Sequence, residues 1–333
     1  MSARALRRHA ALLTALSTEG RRVRLLAETT ALRVFHTARA QENRARAHGP
    51  RTPSIRFVGW GSPMKCYFIT VLVVLSAAFQ GCGPVAPDIV LVVMDTVRPD
   101  HLSCYGYERD TSPNLSALAE SSAVWTNAYS TSCWTAPAHA SMFTGLYPVA
   151  HRCTQENPDL QPALVSLAEI LSDHGYVTIG ITENGVLHRE SNFSQGFDEY
   201  YETWVENTVG SDEETTLGLF SEALGRRVGK QPMFIFINLI AAHVPYEPPQ
   251  RFLTRLDSGS RQPRCSGEVW KDLLLGRVSL SHEEVACIEA HYDAEIMFVD
   301  HVVGRMVGEL KSRGRWENTV FVATSDHGEN LGD

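Results

Sequence analysis

The chain has 333 residues, of which 44% are hydrophobic and 20% charged, so it has enough apolar material for one large domain or two ordinary ones. Its formal net charge of −8 argues against nucleic-acid binding, because a phosphate backbone attracts a basic surface. The seven cysteines form no CxxC pair, which argues against a zinc site of the clustered-cysteine type.

The first 82 residues are predicted to precede the folded domain. Residues 1–63 contain a dozen arginines and no lysine, and we expect a non-native or disordered extension, or alternatively an arginine-rich targeting segment. Residues 64–82 contain an early lysine, an apolar stretch of signal-peptide length and a final Gly-Cys pair. This segment resembles a bacterial lipoprotein signal more than a buried helix. It predicts an exported, periplasmic or cell-envelope protein that is anchored to the membrane through a lipid on Cys82.

Three short apolar runs rich in β-branched residues predict strands that are buried on both faces, as in a parallel sheet. These runs cover residues 89–94, 233–240 and 319–324. Helix-like stretches lie between them at residues 112–122, 164–174, 215–228 and 282–313. Strands that alternate with helices predict an α/β fold with a mostly parallel central sheet flanked by helices. The polar stretch 248–276 is interrupted by Pro and Gly and predicts a surface excursion.

Each predicted strand is followed by side chains that suit a metal or an anion. Asp95 follows the first strand, His243 lies just beyond the second, and Asp326 and His327 follow the third. Ligands of open parallel sheets bind outside the carboxyl ends of the strands, so we expect these groups at one edge. Carboxylate oxygens suit Ca²⁺, Mg²⁺ or Mn²⁺, and imidazole nitrogen also suits Zn²⁺. Taken singly, an Asp after a strand is more often a helix N-cap.

A further motif, CWTAPAHASMFTG at residues 133–145, predicts the start of a helix. Pro137 fits its first turn, which leaves Thr135 at or just before the N-terminus. The free backbone N–H groups there favour an anion. A hydroxyl at that position that is bound to a divalent cation loses its proton more easily and becomes a nucleophile. The competing interpretation is that Thr135 only caps the helix.

The ordered series of motifs resembles the sulfatase family of the alkaline-phosphatase superfamily over nearly the whole of residues 88–333. The resemblance is carried by IVLVVMDTVRPDHLSCYGY (89–107), WTNAYSTSCWTAPAHASMFTGLYPVAH (125–151), HVPYEPP (243–249) and SDHGENLGD (325–333). It implies an alkaline-phosphatase-like α/β domain. Because the family continues past this point of the sequence into a smaller C-terminal subdomain, we expect the domain at 88–333 without that subdomain.

The resemblance implies a role for each motif residue. Asp95, Asp326 and His327 resemble the ligands of one divalent cation, which is Ca²⁺ first by family, with Mn²⁺, Mg²⁺ and Zn²⁺ as alternatives. Thr135 takes the position of the nucleophile, which also contacts the metal. His243 resembles the histidine that contacts the ester oxygens and assists the leaving group.

The sequence departs from the sulfatase pattern at four positions. Thr135 stands where sulfatases carry a Cys or Ser that is converted to formylglycine, and threonine does not give formylglycine. His139 replaces an arginine that helps to hold the nucleophile, and a neutral imidazole supplies neither a permanent charge nor a bidentate fork. Thr96 replaces a second Asp, and Asn184 lies near the position of an active-site lysine.

These residues predict hydrolysis of a sulfate ester through a threonine nucleophile. The expected substrate is a sulfated or phosphorylated small molecule, glycan or lipid head group. Because relatives with a threonine nucleophile include phosphotransferases and phosphodiesterases, the first alternative is a phosphodiesterase or phosphotransferase acting on lipid or glycan head groups. His139 and the expected lack of the C-terminal subdomain motivate the second alternative, a sulfatase-like binding protein without turnover.

Overall fold

The computed structural model describes residues 86–206, 212–226, 229, 231–256 and 277–331. The predicted extension at 1–63 and the lipoprotein-type segment at 64–82 lie outside the described residues, so both stay predictions. In the described part of the chain, no helix combines the length and the apolar character needed to cross a bilayer.

A five-stranded sheet in which every pairing is parallel forms the centre of the fold, with the strand order β3-β2-β4-β1-β5. The strands are β1 (Asp88–Met94), β2 (Val177–Thr182), β3 (Glu199–Glu202), β4 (Met233–Leu239) and β5 (Thr319–Thr324). Because all of them run in the same direction, their carboxyl ends meet at one edge of the sheet. The structure confirms the predicted α/β class with a parallel central sheet.

Helices form the layers that cover the sheet, and the described residues contain eight α-helices. They are α1 (Pro113–Ala119), α2 (Thr135–Thr144), α3 (Pro148–His151), α4 (Leu167–Asp173), α5 (Thr203–Glu206), α6 (Asp212–Gly225), α7 (Gln250–Leu256) and α8 (His282–Ser312). The four predicted helices correspond to α1, α4, α6 and α8. Helix α7 occupies part of the predicted surface excursion, whose residues 257–276 lie outside the described residues.

Alternating side chains of β4 show how the sheet separates two cores. Ile235 and Ile237 belong to a cluster that includes the buried faces of α6 and α8. Phe234 and Phe236 belong to a second cluster with residues of α2 and α4. Successive residues of a strand point to opposite faces, so an unbroken apolar strand is the pattern that a sheet covered on both sides requires.

The three predicted strands are present within one residue of their predicted bounds, whereas β2 and β3 were not predicted as strands. The predicted burial on both faces is wrong for β5, which lies at the edge of the described sheet with Val320 and Val322 exposed. The β2 sequence, VTIGIT, is interrupted by two threonines and a glycine, and β3 is the four-residue segment EYYE. Neither has the continuous apolar character that marks a strand buried on both faces. Their place in the sheet depends on tertiary contacts with β4 and with each other.

Buried carboxylates of α8 hold the segment that follows β1. Asp293 is fully buried and accepts hydrogen bonds from Tyr107 Oη at 2.8 Å and Arg109 Nη1 at 2.6 Å, and its other oxygen lies 2.7 Å from His101 Nδ1. Asp300 accepts from Leu115 N at 2.8 Å and so caps the N-terminus of α1. These contacts fix the path of the chain directly after the first strand end.

Replacing Asp293 by asparagine is expected to destabilise the fold, because the amide offers one acceptor oxygen to three partners and turns a donor toward at least one of them. Breaking a buried charge pair costs about 3 kcal/mol. Tyr107→Phe removes a single contact of the same carboxylate and serves as the control, with an expected loss of about 1 kcal/mol. Urea unfolding of the full chain measures both. An Asp293→Asn loss no larger than the Tyr107→Phe loss would contradict the anchoring role.

Candidate metal and nucleophile site

Thr96 joins the segments that follow three different strands. Its N–H donates to Asp326 Oδ1 at 3.1 Å, after β5, and its hydroxyl oxygen lies 2.7 Å from Ala242 O, after β4. Thr96 itself follows β1 and has a φ of 59°. This left-handed conformation is rare for a β-branched residue and costs about 1–3 kcal/mol. The fold therefore stores strain at the point where the three strand ends are tied together.

Asp95 is fully buried at the end of β1, and only one of its two carboxylate oxygens is engaged. Its Oδ2 accepts from Asn184 Nδ2 at 2.7 Å and from Asn238 Nδ2 at 3.2 Å. Its Oδ1 has no hydrogen-bond partner among the described residues. A buried carboxylate oxygen without a donor is costly, so Oδ1 lies where a ligand is expected.

Asp326, two residues beyond β5, shows the same division between its oxygens. Its Oδ1 accepts from the backbone N–H groups of Thr96 at 3.1 Å and His327 at 2.9 Å. Its Oδ2 is buried without a hydrogen-bond partner in the described part of the chain. Burial raises the pKa of Asp326, and burial together with the neighbouring charge of Asp326 raises the pKa of Asp95.

His327 brings a ring nitrogen to the two unpartnered oxygens. Its Nε2 lies 3.5 Å from Asp326 Oδ2 and 3.9 Å from Asp95 Oδ1. Its Nδ1 lies 2.8 Å from Gly328 O, and an Nδ1–H that donates there leaves Nε2 with a free lone pair. The three ligand atoms lie within 4.8 Å of one another, a separation that one cation with ligand distances of about 2.0–2.6 Å can bridge. The donor set therefore fits a divalent cation.

Thr135 is the first residue of α2, and its Oγ1 lies 3.3 Å from His327 Nε2. The first residues of an α-helix have N–H groups without an intrahelical partner. Pro137 has no N–H, so the first three residues of α2 offer two such amides, those of Thr135 and Ala136. The structure thus places a buried hydroxyl beside the three ligand atoms and at the positive end of a helix dipole.

His139, one turn further along α2, is fully buried. Its Nδ1 lies 2.9 Å from Thr135 O and 3.6 Å from Asp326 Oδ2. Burial lowers the pKa of His139 to about 4, so the ring is neutral at pH 7. His139 holds the first turn of α2 next to Asp326 without adding a positive charge to the site.

His243 and Glu329 lie at the border of the ligand cluster. His243 is partly buried, its Nδ1 lies 2.7 Å from Val244 O, and its charge lowers the pKa values of Asp95 and Glu329. Burial raises the pKa of Glu329, while the charges of His243 and His327 lower it. The contact between Thr96 Oγ1 and Ala242 O, at 2.7 Å, brings the segment that carries His243 next to the residue that follows Asp95.

The structure brings together all four residues that were predicted to contact a metal, namely Asp95, Thr135, Asp326 and His327. Sequence reasoning missed Asn238 and Glu329. Asn238 is the single polar residue of the otherwise apolar strand β4, and a polar side chain in a strand buried on both faces was a usable signal. Glu329 had no comparable signal, because an acidic residue after a strand end is common on protein surfaces.

The fold and the site define an α/β protein with a candidate metal centre at the carboxyl edge of a parallel sheet and a hydroxyl beside it. A model of the sulfatase family matches residues 87–333. The chain belongs to the sulfatase family.

The relatives of this chain include a sulfatase and a phosphoethanolamine transferase. The chain is 24% identical over 308 residues to an arylsulfatase of Clostridium perfringens, covering 74% of this chain and 64% of the relative. It is 26% identical over 254 residues to the phosphoethanolamine transferase EptC of Escherichia coli K12, covering 74% and 40%. The chain thus spans 40 to 64% of the length of these relatives. The zinc complex of the periplasmic EptC domain has the same fold, with a TM-score of 0.56 and 23% identity over 75% of this chain and 66% of that chain.

Glu295 of α8 holds the loop that carries His243 through a hydrogen bond. Because Glu295 is buried and ionisable, we expect the stability of the fold to depend on pH. Glu295 is buried and accepts from Glu247 N at 2.8 Å, and burial raises its pKa to about 8. Between the ordinary value of 4.5 and pH 8 the folded state keeps a proton that the unfolded state releases. The free energy of unfolding therefore falls as the pH rises through this window.

Glu295→Gln removes this titration and keeps an acceptor for Glu247 N. The variant is expected to be more stable than the unmodified protein at pH 9, by about 5 kcal/mol, and equal to it near pH 4.5. Urea unfolding at the two pH values measures the difference. The exposed Glu317→Gln is the matched control and is expected to follow the unmodified protein. A gain from Glu295→Gln that is the same at both pH values would show that Glu295 is not protonated in the fold.

Proposed function

We propose that this protein hydrolyses sulfate esters with Thr135 as the nucleophile and one divalent cation as cofactor. The observation that carries the proposal is the cluster of two unpartnered carboxylate oxygens and one imidazole nitrogen within 4.8 Å of one another, with Thr135 Oγ1 3.3 Å from that nitrogen. Membership of the sulfatase family supports sulfate esters as the first substrate class.

Asp95, Asp326, His327 and the Thr135 hydroxyl are proposed to hold the cation. Oxygen ligands favour Ca²⁺, Mg²⁺ or Mn²⁺, and the imidazole also admits Zn²⁺, which is bound in the solved EptC domain. Ca²⁺ is the first choice by family resemblance. When bound, such a cation lowers the pKa of a hydroxyl ligand and offsets the negative charge of the ester oxygens.

The remaining steps use this chain's own groups. Thr135 gives its hydroxyl proton to solvent water, and its Oγ forms a bond to sulfur while the bond between sulfur and the bridging oxygen breaks. The first amides of α2 stabilise the non-bridging oxygens. His243, when protonated at Nε2, gives that proton to the departing oxygen. Water then attacks the sulfur of the Thr135 sulfate ester, which releases sulfate and restores the hydroxyl. His139 stays neutral and holds the Thr135 turn in place.

The proposed substrate is a sulfated small molecule, glycan or lipid head group, and the proposed location is the periplasm or cell envelope. The lipoprotein-type segment at 64–82 supports export and a lipid anchor at Cys82. The names of the relatives support the rest, since one is an arylsulfatase and the solved EptC domain is periplasmic. A disulfide at Cys287 is also typical of an exported protein.

A second candidate function is phosphoryl transfer, either to water or to an acceptor alcohol on a lipid or glycan. Two observations favour it: the nucleophile position holds a threonine, and one relative is a phosphoethanolamine transferase. Turnover of an aryl sulfate and of an aryl phosphodiester by the full-length protein, each with added Ca²⁺, Mn²⁺ or Zn²⁺, separates the two. Preference for the sulfate supports the first candidate, and preference for the diester replaces it with the second.

Removing the hydroxyl tests the nucleophile in either case. Thr135→Ala is expected to lower turnover of the preferred ester by about 10³-fold or more. Thr135→Ser keeps a hydroxyl at the same place and is expected to stay within about tenfold of the unmodified protein. Initial rates at saturating substrate measure both variants. If Thr135→Ala keeps more than a tenth of the activity, or if the unmodified protein binds the esters without cleaving them, the nucleophile assignment is wrong.

A further inference from the structure

Asn184 lies directly beyond β2 and is 4% exposed, yet its side chain makes three contacts that use both ends of the amide. Its Oδ1 accepts from Val186 N at 2.9 Å. Its Nδ2 donates to Asp95 Oδ2 at 2.7 Å and lies 3.5 Å from Thr135 Oγ1. One neutral group therefore touches both the candidate metal carboxylate and the candidate nucleophile.

The orientation of the Asn184 amide is fixed by its surroundings. Val186 N–H requires an acceptor, and Asp95 Oδ2 requires a donor. Turning the amide over would place an oxygen against a carboxylate and an NH₂ group against an N–H, so both contacts would become repulsive. The backbone N–H of Asn184 donates to Thr182 Oγ1 at 3.2 Å, which holds the turn itself.

Because of this fixed orientation, the two oxygens of Asp95 have different roles. Asn184 occupies Oδ2, with Asn238 as a weaker second donor at 3.2 Å, and Oδ1 is left facing His327 Nε2. The second N–H of the Asn184 amide is directed toward Thr135 Oγ1. An amide that donates to one lone pair of this oxygen turns the Thr135 O–H away from Asn184 and leaves the second lone pair for the proposed cation.

We infer that Asn184 is a positioning residue, which aims Asp95 Oδ1 at the cation and orients the Thr135 hydroxyl beside it. The inference rests on the proposed metal-dependent function. Partners that hydrogen-bond a metal ligand typically change metal affinity by about 10–100-fold when they are removed. A neutral amide suits this task, because a cationic side chain in contact with Asp95 would compete with the metal ion for the same carboxylate.

The test is Zn²⁺ binding by the chelator-treated full chain, measured by titration calorimetry. Asn184→Ala is expected to raise the Zn²⁺ dissociation constant by about 10–100-fold. The matched control is Asn192→Ala in the same β2–β3 connection, where the Asn192 amide donates to Leu160 O at 3.0 Å and to Gln195 Oε1 at 2.6 Å. This control removes an equally engaged asparagine outside the cluster, so it is expected to lower the melting temperature and to leave the dissociation constant within twofold.

A dissociation constant for folded Asn184→Ala within twofold of the unmodified protein overturns the positioning role, and equal losses in both variants do the same. If the unmodified protein binds none of Zn²⁺, Mn²⁺, Mg²⁺ and Ca²⁺ in the same titration, the metal site proposed above fails, which is a separate result. If Asn184→Ala does not fold, the shorter polar variant Asn184→Ser, whose hydroxyl does not reach Asp95, is judged by the same twofold limit.

Discussion

Two buried carboxylates that face each other are the constraint on which the rest of this site depends. Burial and mutual repulsion both raise the pKa of Asp95, and burial raises that of Asp326, so the pair is unfavourable as two bare anions. Backbone and amide donors engage one oxygen of each residue and leave Asp95 Oδ1 and Asp326 Oδ2 without partners. With His327 Nε2 beside them, a single divalent cation bound to all three groups would offset this repulsion.

The fold produces this arrangement by ending several parallel strands at one edge and tying those ends together. Thr96 connects the segments after β1, β4 and β5 through its N–H and hydroxyl, at the cost of a left-handed backbone. Asp293 and Asp300 of α8 then hold the chain that leaves this point. The strain at Thr96 is therefore offset by contacts of the surrounding layers, as expected where a site must be held in one geometry.

The apolar strand pattern was sufficient to predict the α/β class and to place Asp95, Asp326 and His327 at one edge of the sheet, because each of them follows a predicted strand. Thr135, at the start of α2, was assigned to the site only by the resemblance to the sulfatase motif, since the local pattern alone also fits a helix cap. The strand pattern was not sufficient for β2, which pairs with β4, or for β3, which pairs with β2, because both sequences are short and mixed in polarity. The contacts of Asn184 were also beyond prediction, since they depend on where Val186 N–H and Asp95 Oδ2 lie in space. Likewise, His139 is neutral because burial lowers its pKa, and the sequence pattern does not reveal how deeply this side chain is buried.

In the proposed site, Asp95, Asp326 and His327 hold a cation within bonding reach of the Thr135 hydroxyl. Anomalous diffraction from crystals of the full chain soaked in Mn²⁺ or Zn²⁺ tests it most directly. We expect one strong anomalous peak within about 2.0–2.6 Å of Asp95 Oδ1, Asp326 Oδ2 and His327 Nε2, with Thr135 Oγ1 as a further ligand. A structure without a peak at saturating metal, or with the metal bound away from Thr135, would contradict it.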